Sequence, residues 1–441
     1  MTADKEALLA ICDDLQELAE RAALEIARLA ELPLQEVASA ALLKEVLVRE
    51  GFAIEREFPQ IPNAFVASAG SGRPVIGLLA EYDALPDCGV GGKGPGHGCG
   101  HNLLGAAATY AAVASARQLL ASGRAGTVKL FGCPAEETLV GKVYMARDGA
   151  FDGLDACLAW HPGGNTNVNN GSGAAMDSLT YEFFGRTAHA AGDPHNGRSA
   201  LDAVEIMNVA VNFLREHVPS NVRIHYAIMD GGKAPNVVPA YARSWYYIRG
   251  ENRDQVADIS TRVHHCARGA AMASGTTMKR RILTAVYDRL PNDSLARALD
   301  ANLRTVGPPD FGPDDLQLAR DLGVSGDFAD SVGEISTSKG FASSDEANVS
   351  WIAPMAVLSV ACWAQRTPGH HHLIHQQATL PAAMKGLAVA IKALGLTVWD
   401  LLTEETLLAD ARRELDERLA GRSYDPIIPA KQKPPLQDQI P

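Results

Sequence analysis

Side chains able to hold a metal ion or carry a proton fall in four places along the 441-residue chain, each just past a short apolar run. After residues 74–80 (PVIGLLA) come Glu81, Tyr82 and Asp83, then a Gly-rich loop, 89–100, leading to Cys99 and His101. After residues 127–131 (TVKLF) come Glu136 and Glu137, and directly after residues 156–160 (ACLAW) stands His161. Beyond residues 356–361 (AVLSVA) lie His370, His371, His372 and His375. Taken one at a time, each has a bland explanation. Cys-Gly-His is a weak motif, adjacent glutamates are commonly a solvated pair, and an isolated histidine is commonly a satisfied core residue. Their shared placement is harder to explain that way, because ligands of open α/β sheets bind beyond the carboxyl ends of the strands. Thiolate, imidazole and carboxylate together suit zinc or another late divalent ion, with manganese also admitted.

The elements that must position these groups are legible in the apolar periodicity. Residues 5–49 read as helices, from Leu8, Leu9, Ile11, Leu15, Leu18 and Ala19 and again from Leu42, Leu43, Val46 and Leu47 before Gly51. The four apolar runs read as buried strands bounded by Gly, Pro or Asn, and the Ala-rich residues 103–120 suit a closely packed helix. Strands alternating with helices predict an α/β sheet with helices on both faces. Residues 173–288 read differently. Strands at 178–184, 223–229, 242–249 and 277–287, with helices at 200–214 and 253–272, make an α+β module inserted between 1–172 and 289–441 of the larger domain. The Pro-rich stretch after Ser423 is expected to run extended.

Composition narrows the classes. With 46% hydrophobic residues and this length, two domains with sizeable cores are expected. A formal net charge of −12 argues against a general nucleic-acid binder, which needs a concentrated basic surface. It leaves room for a local pocket for anions. Residues 1–34 lack the pattern of a signal peptide, and no apolar run approaches the roughly 18 residues of a membrane span. Seven scattered cysteines without a CxxC pair argue against a disulfide framework and fit a reducing cytoplasm.

Residues 81–86 (EYDALP) followed by 96–102 (GHGCGHN) resemble the aminoacylase and carboxypeptidase family of co-catalytic metallopeptidases. The branch is that of the hippurate, auxin-conjugate and p-aminobenzoyl-glutamate hydrolases. Pro134-Ala135-Glu136-Glu137, Trp160-His161-Pro162 and residues 185–190 (GRTAHA) add to it. Ser343-Ser344-Asp345, Val349-Ser350-Trp351, Thr367-Pro368-Gly369-His370 and residues 426–429 (PIIP) are similar to the p-aminobenzoyl-glutamate hydrolase members. The resemblance spans nearly the whole chain. It implies a mixed-sheet α/β metallopeptidase catalytic domain with the inserted module as lid and dimerisation domain. It implies a metal-dependent amidohydrolase that cleaves the amide bond of N-acyl or N-aroyl amino-acid conjugates.

Residue by residue, the resemblance implies that Cys99, His101, Glu137, His161 and His370 hold two divalent ions per subunit, zinc or manganese, with the Cys99 thiolate able to bridge them. His370 is preferred over His371 and His372 because it follows the Thr-Pro-x pattern. Glu136 is implied as general base on a metal-activated water, and Asp83 as the acid that orients a ligand imidazole. His189 is implied as the histidine that reaches across a dimer to the oxyanion, and Asn236 (in KAPNVVP) as a substrate contact. Arg249, ending a predicted strand, is a candidate partner for a substrate carboxylate, with a plain surface role as its alternative. Two departures bear on the metal: Glu81 stands where distant relatives have a ligand histidine, and Asn102 where several nearer ones have Asp.

The partners expected are a small-molecule amide substrate and a second copy of the chain through the lid domain, with a heteromer with a homologous subunit also open. No nucleic-acid or membrane partner is expected. Three other readings stay in play: hydrolysis of another C–N bond, such as deamination of an aromatic amine; a Cys99 nucleophile; and a metal-binding, non-catalytic dimer. A nucleobase deaminase is set aside for want of its H-x-E and P-C-x-x-C pair.

Overall fold

The chain starts in the larger of two units, passes through the smaller and returns. In the computed structural model, which describes residues 1–435, the larger unit comprises Met1–Ser172, Leu290–Ser338 and Asn348–Pro426. α1 (Ala3–Leu29) buries Leu8, Cys12, Leu15, Ala19, Ala22, Ala23 and Ile26, a stripe at helical spacing. The first turn of α2 (Val37–Arg49) is satisfied from outside: Glu31 accepts from Ala38 N at 2.9 Å and Ser39 N at 2.7 Å. Then come β1 (Ala53–Glu57), β2 (Phe65–Ser71) and β3 (Val75–Glu81). α3 (His101–Ser122) is buried over almost its whole length. Its alanines let it lie close against α1 and the helix Pro381–Thr403. A larger side chain at Ala107 or Ala111 would cost about 1–3 kcal/mol in overpacking. β4 (Gly126–Cys133), α4 (Gly141–Arg147), β5 (Ala156–Gly163) and β6 (Asn167–Val168) complete this part.

The smaller unit comprises Gly173–Arg289, residues 339–347 and the described residues from Ile427 on. It contains β7 (Ala175–Phe184), α5 (Ala200–Leu214), β8 (Arg223–Asp230), β9 (Tyr241–Gly250), α6 (Arg253–Ser274) and β10 (Thr277–Val286). The strands form an antiparallel sheet in the order β10-β7-β9-β8. Alternate residues such as Leu179, Tyr181, Phe183, Tyr246 and Ile248 form one core with Val204, Met207, Val211, Val256, Ile259 and Val263 of the two helices. Ser199 and Asn252 cap those helices, accepting from Asp202 N and Gln255 N.

Back in the larger unit, β11 (Met355–Ala361) joins a seven-stranded sheet in the order β1-β2-β4-β3-β5-β11-β6. β4, β3, β5 and β11 run parallel while β1, β2 and β6 are antiparallel to their neighbours, so the sheet is mixed. The parallel strands therefore end along one edge. Glu81 ends β3, Glu136 and Glu137 follow β4, His161 lies near the end of β5, and His370 follows β11.

Three features depart from the sequence reading. β1 and β2 were not expected: Glu55, Arg56 and Glu57 on an exposed edge strand mask the strand pattern. Residues 339–347 and those from Ile427 on group with the smaller unit, where Ala174 N donates to Ala342 O at 3.0 Å and Arg281 Nη2 to Lys433 O at 3.1 Å. The helix Pro381–Thr403 is long and apolar enough to cross a membrane by length and composition. It is a core helix here, and its two lysines pair with Asp315 and Asp13. After Ser423 the chain has neither helix nor strand through residue 435, and residues 436–441 of the expected extended tail lie outside the described residues.

Candidate metal centre

Two glycines admit the geometry at the sheet edge. Gly100 enters α3 with φ of 78°, and a Cβ there would meet Pro162 and Trp363 at 2.8 Å. A Cβ on Gly105 would lie 2.5 Å from Glu81 O, so the helix backbone sits against the end of β3. His101, at the first position of α3, is thereby fully buried beside Glu81 and Asp83. Its Nδ1 donates to Asp83 Oδ1 at 2.9 Å, which turns Nε2 toward the cluster. Asp83 Oδ2 accepts from Glu137 N at 2.9 Å, so one carboxylate orients both a histidine and a glutamate. His161 Nδ1 donates to Pro162 O at 2.6 Å, leaving Nε2 as an acceptor 3.3 Å from Cys99 Sγ.

Three groups of potential ligand atoms result, each within 4.8 Å of one another: Cys99, His101 and His161; Cys99, Glu137 and His370; Glu81, His101 and Glu136. Cys99 belongs to the first two. His370 Nε2 lies 3.5 Å from Glu137 Oε2. The neighbouring histidines are occupied: His371 accepts from Leu373 N, His372 Nδ1 meets Gln376 Oε1, and His375 accepts from His97 N. The fit to cations also shows in two buried atoms that make no hydrogen bond, His101 Nε2, which has carboxylate oxygens of Glu81 at 3.4 Å and Glu136 at 3.9 Å, and Glu137 Oε1. All five residues singled out as ligands are thus brought together, with Asp83 behind them. Asn102 is not part of the cluster: it donates to Ala23 O and Ala378 O, a packing tie of α3 that a carboxylate could not make.

Without cations the cluster is electrostatically uneasy. Burial pushes the Cys99 thiol up to about 12, with His101 pulling the other way. Burial also raises Glu137 to about 7, with Asp83 and Glu81 adding to the rise and His101 opposing it. Burial pulls His101 down, but the Asp83 carboxylate beside it carries it well above its ordinary value. Burial lowers His161 and His370, favouring the neutral imidazole that a metal takes. A bound cation would relieve the carboxylates and hold the thiol as thiolate.

Glu136 sits on a turn whose preceding residue, Ala135, has φ of 58°, a left-handed conformation costing about 1–2 kcal/mol. Its Oε2 is 3.9 Å from His101 Nε2. Sequence reasoning missed Lys142 on α4, fully buried with Nζ 2.8 Å from Glu81 Oε1. A lone Lys within the apolar stretch GKVYMA was the available signal. The pair accounts for an acidic residue at position 81: its charge is matched by Lys142, and removing either partner would cost about 3–5 kcal/mol.

Residues 173–273 match the peptidase dimerisation domain of the M20 family. Over 92% of this chain and 93% of the relative, the sequence is 36% identical to a subunit of p-aminobenzoyl-glutamate hydrolase from Escherichia coli (strain K12). The chain belongs to the M20 metallopeptidase family. Two solved structures share the fold. The aminobenzoyl-glutamate utilization protein from Klebsiella pneumoniae has a TM-score of 0.62 at 20% identity, covering 88% of this chain and 96% of that one. A dinuclear metal-binding M20 peptidase from Bacillus subtilis has a TM-score of 0.57 at 18% identity, covering 88% and 99%.

The M20 dimerisation domain of this chain carries the remaining candidates. His189 and Asn236 lie on adjoining segments, with a bridge between His189 and Val237 and Ala190 N donating to Asn236 O at 3.0 Å. Both are exposed. His189 Nδ1 accepts from Ala191 N and Gly192 N, so the neutral ring carries its proton on Nε2 as an outward donor. Arg249 stands apart near the end of β9. Its Nη1 donates to Phe341 O and Ser343 Oγ, both at 3.2 Å. The structure therefore joins His189 with Asn236 but gives Arg249 a local task of its own.

Proposed function

We propose that this M20 hydrolase cleaves the amide bond of N-acyl or N-aroyl amino acids, with p-aminobenzoyl-glutamate as the first substrate to try. The observation that carries the reading is a pair of adjacent carboxylates that fall in different groups of potential ligand atoms, Glu137 with Cys99 and His370, Glu136 with Glu81 and His101. Two divalent ions, zinc or manganese, would be held by Cys99, His101, Glu137, His161 and His370, and when bound they acidify a water and polarise the amide carbonyl.

Glu136 takes the proton of the attacking water and returns it to the leaving nitrogen. Asp83 keeps the His101 ring in one tautomer and the Glu137 backbone in place. His189, supplied by a second copy through the dimerisation domain or by a homologous subunit, donates a hydrogen bond from Nε2–H to the developing oxyanion. Asn236 and Arg249 are offered as substrate contacts, Arg249 for a carboxylate. Seven free thiols suit a reducing, cytoplasmic setting.

The test is a panel of p-aminobenzoyl-glutamate, hippurate, acyl-aspartates and aminobenzoates, with product analysis, before and after exhaustive chelation and refilling. Amide cleavage lost on chelation and restored by zinc or manganese is expected. Ammonia released from an aminobenzoate with the amides untouched would replace this reading with deamination. Activity that survives chelation and dies on alkylation would point to a Cys99 nucleophile.

A further inference from the structure

The turn that carries Glu136 is pinned at two backbone N–H groups, and both bonds end on buried carboxylates. Glu137 N donates to Asp83 Oδ2 at 2.9 Å, and Ala135 N donates to Glu36 Oε1 at 2.8 Å. Glu36 belongs to a distant part of the chain and is fully buried. It stands at the N-cap position of α2 but its side chain makes no capping bond there, since Glu31 serves the N–H groups of Ala38 and Ser39. Its other oxygen faces Asn63 Nδ2 at 3.4 Å, and the carbonyl of Asn63 accepts from the Tyr82 hydroxyl at 2.6 Å. Tyr82 lies between Glu81 and Asp83, so this chain of contacts ties α2 to the same strand end that holds the cluster. Burying a carboxylate is costly unless its oxygens are used, and α2 does not use this one.

We infer that Glu36 and Asp83 clamp the backbone on either side of Glu136, making Glu36 a positioning residue for the proton-carrying side chain. The inference rests on the reading of Glu136 as the base. What the clamp requires of residue 36 is an acceptor oxygen that reaches Ala135 N–H. Ala135 is held left-handed, and the bond to Glu36 is what fixes its N–H. A shift of about 1 Å in a reacting group can cost on the order of a hundredfold in rate.

Reach can be tested by itself. Glu36→Gln keeps the reach with a neutral acceptor; Glu36→Asp keeps the carboxyl group and draws the oxygen back by one methylene. On the amide that the parent enzyme turns over fastest, Glu36→Gln should keep kcat within about threefold. Glu36→Asp should lose roughly 10- to 100-fold in kcat with KM and metal content unchanged. Hydrogen exchange in a peptide spanning residues 134–137 should quicken in the Asp variant and stay at the parent rate in the Gln variant. The clamp is overturned if Glu36→Asp matches the parent in kcat and exchange, if Gln is slower than Asp, or if Asp loses its metal along with activity. Should Glu36→Asp fail to fold, a folded, metal-loaded Glu36→Gln with kcat below a tenth of the parent also overturns it. Glu136→Gln, run in parallel, separates the two levels. Full activity there removes both the base and the clamp, whereas an inactive Glu136→Gln beside an unimpaired Glu36→Asp removes the clamp alone.

Discussion

The two units hold their candidate residues in opposite ways. In the larger, Asp83 and His101 are buried and the Glu137 carboxylate nearly so, with His370 exposed at the rim, and two of the cluster's polar atoms have no hydrogen bond. In the smaller, His189 and Asn236 stand exposed on paired backbone segments, and Arg249 is spent partly on Phe341 and Ser343. Buried, mutually repelling groups are tolerated where a cation completes them. Exposed donors carry no such demand, and they are catalytic only when something is brought to them. The larger unit should therefore answer to metal, and the smaller to substrate and partner.

The sharpest way to break that division is at the carboxylate pair. Glu136→Gln is expected to lower kcat by roughly 10³-fold while two ions per chain remain bound, measured by steady-state kinetics beside elemental analysis. Loss of the ions in this variant would move Glu136 among the ligands. Next in size is His189→Ala, expected to lower kcat by about 10²-fold with metal content and thermal midpoint unchanged. A lowered metal content would deny the separation of roles between the units. Asp83→Asn should weaken metal affinity by about 10- to 100-fold in competition titrations, because it frees His101 and slackens the hold on Glu137 N at once.

The smallest effect is on pH. Glu137, raised to about 7 by burial, gives the cation-free protein a stability contribution that is complete below 4.5 and lost as pH rises through about 7. Its thermal midpoint should fall across that window. Cation uptake must expel protons from Glu137 and from Cys99, which burial holds up to about 12, so metal affinity should climb with pH. A flat affinity between pH 5 and 8 would mean that these two groups are not ligands.

How legible all this was in the sequence depended on the kind of residue. The parallel strands announced themselves as apolar runs, and their ends marked Glu81, Glu136, Glu137 and His161. Cys99 and His101 sat in a glycine-rich loop whose Gly100 is needed for the turn into α3. His370 was preferred over its neighbours through the Thr-Pro-x pattern that the resemblance carries, and in the structure the others each have a ring nitrogen engaged locally. Glu36 and Lys142 were not legible. A charged residue in or beside a helix reads as solvated until the tertiary structure buries it, and their partners, Ala135 and Glu81, are distant in sequence. Residues 339–347 were invisible for a similar reason: their ties to the smaller unit, among them Ala342 O with Ala174 N and Phe341 O with Arg249, are to partners distant in sequence.

The claim on which the rest depends is that one thiolate joins two cations at the carboxyl ends of β3, β4, β5 and β11. Anomalous diffraction from crystals of the purified protein soaked with manganese or zinc addresses it directly. The account predicts two peaks per chain, both about 2.0–2.5 Å from Cys99 Sγ, one also reached by His101 or His161 and the other by Glu137 and His370. Peaks elsewhere, or a loaded protein in which Cys99 touches neither ion, would contradict it.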